Sequence, residues 1–247
     1  MTLGADDYLT KHVMMDELLQ AVSVRLRRLE ELRRPLEGTV SARSFGHPIV
    51  TRQGDRLDWD SLKALELLFY LLEHRSGVST FEVAEALWPG KTEAKASSSF
   101  HTTLYRLRKV MGGELVESAN RRYYLHDSFS IAYDADAYRQ LSAKARDSGE
   151  LRDYLAAARI YTGHFLVGFD SDWVENIRQG LQSEHLTLLQ FAAELAVKQG
   201  DLHRASSAYQ PMTEHEPFSE TAWEGRAETR ERRGERSKAD GARDRFE

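Results

Sequence analysis

Apolar residues return at intervals of three and four over most of the chain, and at intervals of two in only a few short stretches. Residues 13 to 34 set Leu18, Leu19, Val22, Leu26 and Leu29 on one side, with Arg25, Arg27 and Arg28 along its rim. That spacing predicts an amphipathic helix, closed by Pro35 and Gly38. From Val40 to Trp59 the texture changes to short β-branched segments, interrupted at Gly46-His47-Pro48 and again at Gln53-Gly54-Asp55. A small antiparallel sheet is expected there, with a hairpin turn at the second interruption.

Helical spacing resumes after Asp60 and Ser61, either of which can cap a helix. Its inward face is read as Leu62, Leu65, Leu68, Phe69 and Leu72, and its outward face as Lys63, Glu66, Glu73 and His74. After Gly77, the pair Ser79 and Glu82 has capping-box spacing and predicts a short helix burying Phe81, Val83, Ala84 and Leu87. Trp88-Pro89-Gly90 ends it, because proline cannot continue a helix and glycine accepts a left-handed cap. A third helix follows from the Thr92 cap to Met111, with Phe100, Leu104, Leu107 and Met111 as one apolar stripe. Two strand-like pieces, Glu114 to Ser118 and Tyr123 to His126, flank the turn-prone Ala119-Asn120-Arg121-Arg122. Sheet, three helices and a terminal hairpin in this order predict a winged helix-turn-helix over residues 39–130.

Past Asp134 only helical spacing remains. Helix pairs are expected around Ala135 to Ala145 with Leu151 to Tyr161, and around Trp173 to Leu189 with Phe191 to Lys198. Gly200 and Gly234 are 34 residues apart, as are Ala205 and Ala239, and Pro217 closes the first unit. That period is the tetratricopeptide one, in which each helix pair buries its apolar face against a neighbour. The expected fold class is therefore mainly α with a small β component: a winged helix-turn-helix followed by an all-α tetratricopeptide-like repeat domain over residues 131–247.

Charge sharpens the functional reading. The chain carries a formal net charge of −5, which by itself argues against a nucleic-acid partner. Its distribution reverses that inference, since residues 91–126 hold seven basic side chains against Glu93, Glu114 and Glu117. Opposite the stripe of the third helix stand Lys95, Ser98, Ser99, His101, Thr102, Thr103, Tyr105, Arg106 and Lys109. Such donors, acceptors and cations can enter a major groove, where arginine reads guanine and hydroxyls or methyls meet the other bases. Arg121 and Arg122 fall at the hairpin tip, where a wing reaches the DNA backbone or minor groove. Tyr123 and Tyr124 alternate on a strand and are read as packing residues.

The pieces "ALWP" (86–89) and "LYRLRKVMG" (104–112) resemble the helix pair of bacterial activators of the antibiotic-regulatory-protein type. Further on, "DADAYRQL", "YTGHFLVGFDSDWV" and "GDLHRASSAYQPMTEHEP" are similar to the activator domain of that family. The resemblance implies an OmpR-like winged helix joined to a bacterial transcriptional activator domain, with the DNA-reading helix on 94–111 and the wing on 115–125. It also implies a homodimer on double-stranded DNA, contact with RNA polymerase, and glycine at the wing tip where this chain has Asn120-Arg121-Arg122. "GADDYLTK" (4–11) and the helix after it look like the last strand and helix of a response-regulator receiver, with Lys11 on the receiver lysine and His12 where proline is usual. Residues 1–38 are thus expected to be a receiver remnant without its phosphate-accepting aspartate, either part of a longer regulator or a vestige used as a linker.

Other chemistries are weakly supported. "PGKT" at Pro89 to Thr92 lacks the glycine a phosphate-binding loop needs at Glu85, and it follows a helix rather than a strand. The chain has no cysteine, and its histidines show no metal-ligand spacing. The longest apolar run, Leu67 to Leu72, is far too short for a membrane span. The expectation is a cytoplasmic, sequence-specific DNA-binding transcriptional regulator, an activator, and not an enzyme, with no cofactor, no metal and no membrane partner. The competing reading is a tetratricopeptide-type scaffold for proteins that binds no specific DNA.

Overall fold

The computed structural model describes residues 40–112, 115–126, 129–215, 219–232 and 234. The receiver-like segment 1–38, Pro217 and Ala239 lie outside them.

Strands β1 (Val40–Arg43), β2 (Ile49–Arg52) and β3 (Asp55–Arg56) form the expected antiparallel meander. The β2–β3 turn has Gln53 and Gly54 at φ of 54° and 94°. Two consecutive positive φ angles give the turn whose twist matches that of paired strands. Three helices follow: α1 (Leu62–Glu73), α2 (Thr80–Leu87) and α3 (Glu93–Met111), with the two-residue strand β4 (Val78–Ser79) before α2. The capping box is complete, because Ser79 Oγ accepts from the Glu82 amide at 3.2 Å and Glu82 Oε2 accepts from the Ser79 amide at 2.6 Å. Strands β5 (Val116–Ala119) and β6 (Arg122–Leu125) make the wing, and β6 also pairs with β4, giving the order β4-β6-β5.

Strand β7 (Ile131–Tyr133) pairs in parallel with β1, so the first sheet has the order β3-β2-β1-β7. Helices α4 (Asp134–Ser148), α5 (Leu151–Ala158), α6 (Asp172–Lys198), α7 (Leu202–His215) and α8 (Glu220–Arg232) follow, each packed on the next. The second expected helix pair is one continuous 27-residue helix, α6. Gln190 is no helix breaker, and Leu186, Leu189, Ala193 and Ala196 carry one buried stripe through the supposed turn. Gly200 and Gly234, the repeat-spaced pair, both adopt left-handed φ just past a helix end, at 75° and 79°. Among the described residues, no helix is long and apolar enough to cross a membrane.

The expected division at 130/131 falls just before β7, and the structure is continuous across it. A single buried cluster runs from Val40 through Phe69, Phe100 and Tyr138 to Phe165 and Leu181. The Asp134 carboxylate accepts from the Ser44 amide at 2.8 and 2.9 Å, from Ser44 Oγ at 2.6 Å and from the Phe45 amide at 3.1 Å. Backbone bonds Gly46 N to His164 O (2.9 Å) and Leu166 N to Ser44 O (2.8 Å) tie the β1–β2 loop to the loop before α6. Glu73 binds Arg139 at 2.7 Å and accepts from the Tyr133 hydroxyl at 2.6 Å. Burial, followed by this carboxylate, holds the Tyr133 hydroxyl well above its ordinary pKa.

This junction explains one departure from the pattern reading, and two others fall at helix starts. Glu66, expected outside, is 1% exposed, whereas Leu62 and Phe81, expected inside, are 66% and 67% exposed. Every residue of α1 from Ala64 to Leu72 is buried, because the helical domain covers the side that solvent would otherwise occupy. Glu66 is satisfied there by the Ser171 hydroxyl, by Trp173 Nε1 at 3.2 Å and by Lys63 at 2.8 Å. Leu62 and Phe81 lie in the first turns of their helices.

Candidate nucleic-acid interface

Helix α3 buries Ala96, Phe100, Thr103, Leu104, Leu107 and Met111 along one side. Their three-and-four spacing fixes the helix against α1 and α2 and leaves the opposite side open. On that side Lys95, Ser98, His101, Thr102, Tyr105, Arg106 and Lys109 are exposed and Ser99 is half-buried. Thr103 must be removed from the set, since it is 6% exposed. It lies three residues after Phe100 and four before Leu107, so its position belongs to the buried stripe although its hydroxyl suggested the other side.

The open face is held by few contacts of its own. Thr102 Oγ1 donates back to the Ser98 carbonyl at 3.0 Å. Lys109 approaches Asp60 at 3.8 Å, with both side chains largely exposed, so the contact contributes little. Among the described residues, Arg106 and Arg121 form no ion pair. Glu93 stands in the first turn of α3 and Arg108 and Lys109 in its last, the signs that the helix dipole favours at each end. Tyr105 is 70% exposed, an aromatic ring in water next to Arg106.

At the wing, Ala119 pairs with Arg122, leaving Asn120 and Arg121 as a two-residue turn with φ of 52° and 62°. Arg121 is exposed at the tip. Arg122 is not: its guanidinium donates to the Gly77 carbonyl at 2.6 Å and pairs with Glu82 at 3.2 Å. It therefore fastens the wing to the start of α2. Tyr123 packs edge-on against Phe100 with ring centroids 4.7 Å apart, and the Tyr124 ring lies over Gly77. Both tyrosines are packing residues, as their alternation implied.

One cation was missed. Lys91 Nζ donates to Ser99 Oγ at 3.0 Å and sits 5.8 Å from the Trp88 ring, an exposed charge at the entrance to α3. Its position just before the Thr92 cap was the available signal, obscured by its place in "PGKT". A small polar cleft of about 290 Å³, lined by Ser61, Lys63, Trp88, Ser98, Thr102 and Arg106, opens beside the same face.

The geometry defines a winged helix-turn-helix with an open polar helix, joined through a continuous buried cluster to an all-α tetratricopeptide-like domain. Residues 127–244 match the family described as the bacterial transcriptional activator domain. Among solved structures the chain is similar to Mycobacterium tuberculosis EmbR in complex with a low affinity phosphopeptide, with a TM-score of 0.67 and 21% identity. That likeness covers 84% of this chain and 58% of EmbR, so the chain spans little more than half the length of that relative. No curated protein matches the chain. The domain match covers the helical half of the chain, and the likeness to EmbR shows a shared fold.

Proposed function

We propose that the chain is a sequence-specific DNA-binding activator of transcription in which α3 enters the major groove and the wing crosses the adjacent backbone. The observation that carries this reading is the open side of α3. Seven exposed polar, cationic or aromatic side chains run along it, directly behind the stripe that fixes the helix in the core. Arg106 reads a base edge there, while Lys95, Lys109 and Arg121 neutralise phosphates. The polar cleft beside Lys63 and Arg106 suits a backbone phosphate.

The helical domain acts as the contact surface for protein. Residues 131–247 hold 21 acidic against 16 basic side chains, a balance that fits a polymerase subunit or a second copy of the chain better than it fits DNA. Because the first part of the domain, through Leu181, shares a core with the winged helix, whatever binds there is positioned with respect to the promoter.

An electrophoretic shift with a pool of genomic fragments at two salt concentrations tests the reading. Binding that weakens steeply as salt rises is expected, because each neutralised phosphate releases counterions. An absence of salt-sensitive binding would instead favour a protein scaffold.

A further inference from the structure

A pocket of about 310 Å³ opens in the helical domain, away from the DNA face, between α4, α5 and α6. That volume is at the small end of ligand sites. One continuous face of α6 supplies Gly180, Ser183, Glu184, Thr187, Leu188 and Phe191, and α4 supplies Ser142 and Arg146, one turn apart. Tyr154 of α5 closes the apolar end.

Three observations set this pocket apart from a packing defect. The Ser142 and Tyr138 hydroxyls are buried beside each other, and neither makes a well-formed hydrogen bond to any other group. Buried hydroxyls that have only each other are under-satisfied, and a ligand oxygen reaching Ser142 would complete them. Phe191 is 47% exposed at the rim, its ring centroid 6.0 Å from that of Tyr154. Gly180 stands in the interior of a long helix, where glycine costs about 1 kcal/mol relative to alanine. No heavy atom lies within 4 Å of the place its Cβ would occupy. The fold does not require glycine there, and its absent side chain keeps the pocket open.

The charges at the mouth select the ligand. Arg146 and Glu184 stand side by side with an N···O separation of 2.7 Å, and the arginine is 56% exposed. A lone carboxylate would meet Glu184 and a lone amine would meet Arg146, whereas a zwitterion satisfies both. An exposed pair of this kind is worth little to the fold and rearranges cheaply. We propose that this pocket binds a free α-amino acid with an apolar side chain. Its carboxylate is held by Arg146 and Ser142, its ammonium by Glu184, and its side chain lies against Tyr154, Leu188 and Phe191. The site would give the helical domain a metabolite input independent of the N-terminal segment.

Calorimetric titration of the full chain with L-phenylalanine tests this. Saturable one-to-one binding is expected, with 3-phenylpropanoate and phenethylamine, each lacking one charge, at least about tenfold weaker, equivalent to about 1.4 kcal/mol. Gly180→Leu fills the pocket with a good helix former and should abolish binding while leaving the helical circular-dichroism signal unchanged. Phe191→Ser, at the exposed rim, should weaken it independently. The proposal is overturned by no saturable binding of L-phenylalanine, by equal binding of either singly charged analogue, or by full binding in the Gly180→Leu and Phe191→Ser proteins.

Discussion

Two hairpins in the winged helix share one turn geometry and differ in what occupies it. In the β2–β3 turn the second residue is Gly54, and in the wing it is Arg121, yet both turns have positive φ at both positions. Glycine accepts that conformation freely, while an L-residue with a side chain pays about 1 kcal/mol or more for it. The β2–β3 turn thus has the residue its backbone prefers. The wing keeps a strained cation at its outermost point, which makes sense where the charge meets something outside the protein. The base of the wing shows the opposite economy, with Gly77 beneath Tyr124 and Arg122 turned inward.

The contrast between anchored base and strained tip can be broken at several points. The largest effect is expected at the base. Gly77 has φ of 86°, and an added Cβ would fall 2.2 Å from the Tyr124 ring. Gly77→Ala should therefore cost about 2 to 3 kcal/mol through strain and displacement of the ring, read by urea unfolding. A loss below about 0.5 kcal/mol, the range of an ordinary surface change, would mean that the wing is not anchored there.

An exchange between the two tips comes next. Arg121→Gly should raise stability by about 1 kcal/mol while weakening DNA binding and reducing its salt dependence. Gly54→Arg should lower stability by a similar amount and leave DNA affinity unchanged. If both substitutions moved affinity alike, the tips would be equivalent and the strain at Arg121 would have no functional meaning.

The smallest effect is a pH dependence at Glu82. Its carboxyl is held below the ordinary range first by the Ser79 amide, then by the Ser79 hydroxyl and Arg122. A carboxylate with a lowered folded-state pKa stabilises fully above its ordinary value, and that contribution is lost as pH falls through the folded-state value. Glu82→Gln should accordingly flatten the acid limb of unfolding midpoint against pH. An unchanged acid limb would show that the capping box contributes nothing measurable.

Much of this architecture was legible in the sequence because it rests on local rules. The capping box, the stop at Trp88-Pro89 and the stripe of α3 depend on residues a few positions apart, and each stands where the spacing put it. What was not legible depends on partners distant in the chain. Glu66 is charged and sits on a helix, so its pattern points outward. Beyond Lys63, its burial depends on Ser171 and Trp173, more than a hundred residues away. Strands β4 and β7 are two and three residues long and exist by pairing with β6 and β1, too short to leave a periodic signal. Within the candidate site, Thr103 and Arg122 were misplaced for a common reason. A polar side chain was taken to face outward, although Thr103 completes an apolar stripe and Arg122 satisfies a backbone carbonyl.

The central claim is that α3 reads bases while the wing tip holds the backbone. Its most direct test is anisotropy titration of Arg106→Ala and Arg121→Ala, each on DNA selected by the purified protein and on a scrambled duplex, at two salt concentrations. Arg106→Ala should cost about 1 to 3 kcal/mol on the selected site and little on the scrambled one. Arg121→Ala should weaken both about equally and reduce the salt slope by about one. Equal losses from the two substitutions on both duplexes would contradict the account.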